Sequence, residues 1–196
     1  MNTVQFLFDY ASPWSYLANA TLEKKFAGAQ IEYVPVYLRG LEMFATAMPY
    51  SARKLQYIMK DLVRCAAHEQ VPVRIPDEFP INGLYALRGA LYALETGTFS
   101  TYNERLFAAT WADNKPISNK EVVIALAGEA GLDRAIFREA IERPDIKAKL
   151  KDTTAAYQER GVFGVPTFFV GDEFFWGHDR MEYVQRAVRA GAALPH

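Results

Sequence analysis

Three short stretches hold the residues best suited to chemistry. In FDYASPWSYLAN, at 8–19, the pair Ser12-Pro13 ends a turn and opens a helical run. Serine is a preferred helix cap, and proline fits the first helical position because its missing N–H is not needed there. A hydroxyl so placed lies among unpaired backbone N–H groups at the positive end of the helix dipole, where a thiolate or carboxylate is favoured. The simpler alternative is that Ser12 only caps the helix. No histidine or lysine is close in sequence to act as its base, so Ser12 is a poor hydrolase nucleophile. It is better suited to hydrogen-bond a sulfur belonging to another molecule.

The second stretch is GVFGVPTFF, centred on Val165-Pro166. A proline at a strand entrance cannot donate to the ladder, and an X-Pro bond can be cis at low cost. A cis bond would turn the Val165 backbone outward, where it could pair with an extended peptide-like ligand. An ordinary trans proline is the competing reading. The third stretch is FFWGHDRMEY, at 174–183. Asp179 and Glu182 have the spacing of a helix cap and its third helical residue. The same carboxylate could take the ammonium of a zwitterion whose own carboxylate meets the helix N-terminus. His178 reads as a polar rim residue and Trp176 as core.

These stretches need elements to hold them. Residues 3–8 alternate, with apolar side chains on both sides, as in a strand buried within a sheet. A helix to about 28 and a strand over 31–38 follow, with Pro35 arguing for a sheet edge or a bulge. This β-α-β order implies a parallel pair. Helices are predicted over 51–69, 82–96, 100–112, 118–130 and 133–160, the last broken near Pro144, with a loop over 71–80. Ser118 and Glu121 form a predicted capping box. Strands over 166–170 and 173–176 make a hairpin, followed by a helix that Asp179 caps and Gly191 closes. The ends are too short to bury a face alone, so they share one sheet around a helical block. The result is an α/β, thioredoxin-like fold with an all-helical insertion, divided as 1–40 and 161–196 around 41–160.

Composition narrows the function. The net charge of the 196 residues is −1, which gives no field for nucleic acid or an anionic membrane. No apolar run approaches the roughly 18 residues of a membrane helix, and no basic-then-apolar leader opens the chain, so a cytoplasmic setting is expected. The single cysteine, Cys65, rules out an intrachain disulfide, a Cys-x-x-Cys redox site and a cysteine-based zinc site. It reads as a semi-buried helix residue. His68, His178 and His196 lie far apart and lack metal-ligand spacing.

Together these motifs resemble the DsbA-like branch of the thioredoxin superfamily, and within it the 2-hydroxychromene-2-carboxylate isomerases and kappa-class glutathione transferases. FDYASPWSYLAN is similar to the family's strand, serine turn and helix, and VFGVPTFFVGDEFFWGHDRMEYV to its Val-Pro strand, hairpin and helix start. ARKLQYIMKDLVR at 52–64 resembles the helix after the active-site loop, and Trp111 falls where the family tends to have tryptophan. The resemblance implies glutathione as cofactor, with Ser12 hydrogen-bonding its sulfur. Val165, before a cis Pro166, would pair with its cysteinyl backbone. His178 and Asp179 would hold its γ-glutamyl end, and Lys54 would lie near its glycine carboxylate. A small aromatic substrate and a homodimer are implied as well. One departure stands out: the loop LEMFATAMPY, at 41–50, lacks the asparagine often found there. Its apolar residues suit a bulkier substrate or a lid. A transferase that keeps glutathione on the product and a non-catalytic binding protein are the other readings. A disulfide oxidoreductase is disfavoured, because Ser12 and Ser15 occupy both Cys-x-x-Cys positions.

Overall fold

The computed structural model describes residues 3–191, so His196 lies outside the described residues. The strands β1 (Thr3–Phe8), β2 (Gln30–Pro35), β3 (Thr167–Val170) and β4 (Glu173–Trp176) form one sheet in the order β2-β1-β3-β4. β1 pairs in parallel with β2 and antiparallel with β3, which continues into the β3–β4 hairpin. The central position of β1 explains its two apolar sides. Val4, Phe6 and Phe8 enter the larger core with Leu17, Phe107 and Phe168, while Leu7 packs on the other face with Val34, Val165 and Phe169. β2 is an edge strand, as Pro35 requires.

The helices are α1 (Pro13–Lys25), α2 (Ala52–Glu69), α3 (Leu84–Thr96), α4 (Phe99–Trp111), α5 (Lys120–Glu129), α6 (Arg134–Ala140), α7 (Pro144–Glu159) and α8 (Met181–Ala190). The loop over 71–80 and the break before Pro144 are as expected. Boundaries shift where side chains compete for the backbone. β2 stops at Pro35 because β1 ends at Phe8; beyond it, Tyr37 N–H donates to Thr154 Oγ1 and Leu38 N–H to Asp9 Oδ2 rather than to a strand. Asn119, not Ser118, caps α5, and the Ser118 hydroxyl instead accepts from Asn82 N–H. Asp179 does not cap α8: it sits inside a 3-10 turn, His178–Arg180, and its carboxylate bonds Arg180 at 2.7 Å. The tight turn starts at Gly177 with φ 106°, and the helix start is displaced by one residue, with Arg180 at the cap position. Gly191 closes α8 in a left-handed conformation, as expected.

One apolar cluster runs from β1 and β3 through α3, α4 and α6. Its buried polar atoms are paired in ways that reach the first turn of the chain. Trp111 Nε1 donates to Tyr10 C=O at 2.8 Å, and Tyr10 OH to Asn103 Oδ1 at 3.1 Å. The backbone just before Ser12 is therefore fixed by a helix about a hundred residues away in sequence.

Candidate active site

Asp9 builds the turn that presents Ser12. Its Oδ1 accepts from Ala11 N–H at 2.9 Å, and its backbone carbonyl accepts from Ser12 N–H at 3.0 Å. Ser12 then caps α1, its Oγ accepting from Ser15 N–H at 3.2 Å. No acidic residue occupies the first turn of α1, so the positive end of its dipole is not neutralised from within. The Ser12 hydroxyl donates to Val165 C=O at 3.2 Å, joining the first motif to the second across the sheet. No histidine or lysine hydrogen-bonds Ser12 among the described residues, consistent with a donor rather than a nucleophile.

The Val165-Pro166 bond is cis. Val165 N–H has no protein acceptor among the described residues, leaving one donor beside Ser12. Gly164 is needed here: a Cβ would come within 2.9 Å of the Trp176 ring nitrogen. Trp176 is 46% exposed and packs on Phe163, so it is a rim residue and not core. Both faces of β3 are already filled, one by Phe168 and the other by Phe169, while Trp176 is the last residue of edge strand β4.

Ser12 and Val165 open onto a cleft of about 480 Å³. Lys54 lines it from the first turn of α2, its ammonium 4.1 Å from the centre of the Tyr50 ring. The loop after β2 lines it with Met43, Phe44 and Met48, and Phe79 and Ile81 line it as well. Of the residues expected to act together, the cleft gathers Ser12, Val165 and Lys54. Pro166 lies behind Val165, its carbonyl accepting from Gly177 N–H. His178 and Asp179 do not line the cleft. His178 stacks flat on Trp14, a cleft residue, at 4.7 Å, and burial holds its imidazole below the ordinary value and hence neutral near pH 7. No cluster of metal-ligating side chains occurs among the described residues.

Sequence reasoning passed over Asp9 and Arg39. Asp9 is 1% exposed, and its second oxygen accepts from Leu38 N–H at 2.8 Å, tying the Ser12 turn to the loop after β2. Burial raises its carboxyl to about 6 against these two backbone bonds and the nearby Arg39 charge. A Cβ at Gly83 would overlap Asp9 Oδ1, so α3 approaches this carboxylate through a glycine. A signal was there to find: Asp9 is the only acidic residue before Glu23 and directly follows a fully apolar strand end. Arg39 carried no such signal, because only the folded loop brings it to the cleft.

The DSBA-like thioredoxin domain family matches residues 3–189. The chain is 32% identical to the 2-hydroxychromene-2-carboxylate isomerase of Pseudomonas sp. (strain C18), covering 94% of this chain and 89% of that one. It is 25% identical to human glutathione S-transferase kappa 1 over 92% of this chain and 88% of the relative. A solved 2-hydroxychromene-2-carboxylate isomerase superposes with a TM-score of 0.83 at 29% identity, covering 96% of this chain and 95% of the other. The fold and the sequence similarity thus extend along nearly the whole chain, and the protein belongs to the DsbA-like thioredoxin family as a member of its 2-hydroxychromene-2-carboxylate isomerase branch.

Proposed function

We propose that this enzyme is a glutathione-dependent isomerase acting on an aromatic-degradation intermediate of the 2-hydroxychromene-2-carboxylate type. The observation that carries the reading is the open cleft at the N-terminus of α1, where the Ser12 hydroxyl lies 3.2 Å from the Val165 carbonyl. The donor set fits glutathione. Ser12 and the uncompensated helix end suit an anionic sulfur, and the unpartnered Val165 N–H suits the peptide backbone next to it. Lys54 would take the glycine carboxylate, and the γ-glutamyl end would extend past Trp14 toward His178 and Asp179. Bound glutathione would supply a thiolate that adds reversibly to the unsaturated substrate, permitting ring opening and bond rotation before it leaves unchanged. Ser12 would reorient its proton from Val165 to the sulfur, favouring a thiol that must serve as both nucleophile and leaving group. The same reading includes a cytoplasmic homodimer and a helical insertion, 41–160, in a thioredoxin-like unit of 1–40 and 161–196.

A kappa-type glutathione transferase is the second reading, favoured by the similarity to human glutathione S-transferase kappa 1. A binding-only protein would be expected to fill the space around Ser12, and the open cleft favours catalysis instead. Turnover of 2-hydroxychromene-2-carboxylate, followed with a free-thiol titration, separates the cases. Isomerisation should require glutathione while the thiol titre stays constant. A one-for-one fall in thiol would mean transfer, and turnover without glutathione would refute both.

A further inference from the structure

The cleft is lined by two cations from different elements, and the proposed glutathione site uses one of them. Lys54 rises from α2; Arg39 comes from the loop after β2. Arg39 is exposed to the cleft and forms no ion pair among the described residues. Its one protein hydrogen bond runs from Nη2 to Pro80 C=O at 3.2 Å. Asp9 is the nearby carboxylate, but both its oxygens are engaged by Ala11 and Leu38 N–H groups. Most of the guanidinium donors are therefore free. Phe79 and Ile81, which flank the Pro80 acceptor, also line the cleft, so the charge stands against an apolar wall. The two residues before it are held in place, Tyr37 N–H by Thr154 at 3.1 Å and Leu38 N–H by Asp9 at 2.8 Å. A fixed guanidinium beside an apolar slot is suited to a flat apolar body ending in one carboxylate, which it can grip with two parallel N–H bonds.

We propose that Arg39 is the specificity-determining residue of the second-substrate subsite, binding the carboxylate of a planar aromatic acid beside Phe79 and Ile81 and independently of Lys54. This rests on the isomerase reading for the identity of the substrate, but the anion subsite can be tested without turnover. Titration calorimetry would compare 2-naphthoate with its neutral counterpart 2-naphthamide. Wild type should bind the acid at least about 10-fold more tightly. Arg39→Gln should erase that preference, Arg39→Lys should restore part of it, and Lys54→Gln should keep it. In turnover, Arg39→Gln should raise KM for the chromene carboxylate about 10- to 100-fold with KM for glutathione unchanged. The assignment falls if wild type fails to bind the acid, if acid and amide bind equally, if the preference survives Arg39→Gln, or if Lys54→Gln removes it. A protein that needs no glutathione yet shows an Arg39-dependent preference would refute the isomerase reading and leave this subsite standing.

Discussion

Ser12 has one observed role, as a cap, and one proposed role, as a donor to sulfur, and one substitution can separate them. Its oxygen accepts from Ser15 N–H as the cap of α1, and its proton is free to turn from Val165 toward a ligand. An oriented donor acts most strongly where charge develops, so Ser12→Ala should lower turnover about 100-fold, equivalent to about 2.7 kcal/mol, with a smaller change in glutathione affinity. Loss of the cap should separately cost about 1 kcal/mol of stability. Ser12→Thr keeps both hydroxyl and cap and should recover most of the rate. Steady-state kinetics beside urea unfolding read the two effects apart. Wild-type turnover in the alanine variant would reduce Ser12 to a cap.

At the scale of the element, α1 contains a further serine with a different balance. Ser15 is fully buried, and its hydroxyl has no hydrogen-bond partner. Its N–H is already satisfied by the Ser12 oxygen, so only the side chain is left wanting. An unpaired buried hydroxyl costs about 1–3 kcal/mol, and alanine is also the better helix former. Ser15→Ala should therefore stabilise the protein by about 1 kcal/mol in urea unfolding. A loss of stability on making it would mean that the hydroxyl is satisfied in solution. The other helix ends illustrate how local this chemistry is. Asp133 caps α6 with bonds to two N–H groups, whereas Asp179, three residues before Glu182, turns to Arg180 because Gly177 starts a tighter turn first.

At the scale of the whole molecule, Asp9 is where the Ser12 turn, the loop after β2 and the start of α3 converge. Its carboxyl is raised from 3.8 to about 6, chiefly by burial. The folded state thus holds this proton more tightly than the unfolded chain. The resulting contribution to stability is fully present below pH 4 and is lost as pH rises through 6, by about 3 kcal/mol. Glu69 and Glu142, whose carboxyls are lowered by lysine partners, push the other way in acid, so the effect must be read as a difference. Wild type should lose stability relative to Asp9→Asn between pH 4 and 7, measured by urea unfolding at each pH. A constant difference across that range would mean that Asp9 titrates normally.

Periodicity and turn residues determined much of this protein without tertiary information. The buried two-sided strand, the β-α-β start, the hairpin at the end and the serine cap follow from side-chain patterns that act within a few residues. Ser12, Val165 and Lys54 were readable as candidates because their motifs are local and similar to those of a family, and the fold brings all three to one cleft. A long-range bond accounts for one difference: Asn119 takes the Glu121 N–H at the start of α5, while the Ser118 oxygen accepts from Asn82 N–H across the fold. What only the folded chain decided is the cleft. Its apolar wall, the free guanidinium of Arg39, the shielding of Asp9 and the exposure of Trp176 all depend on segments far apart in sequence meeting at one place. Burial and field are properties of that meeting, and no spacing within the chain encodes them.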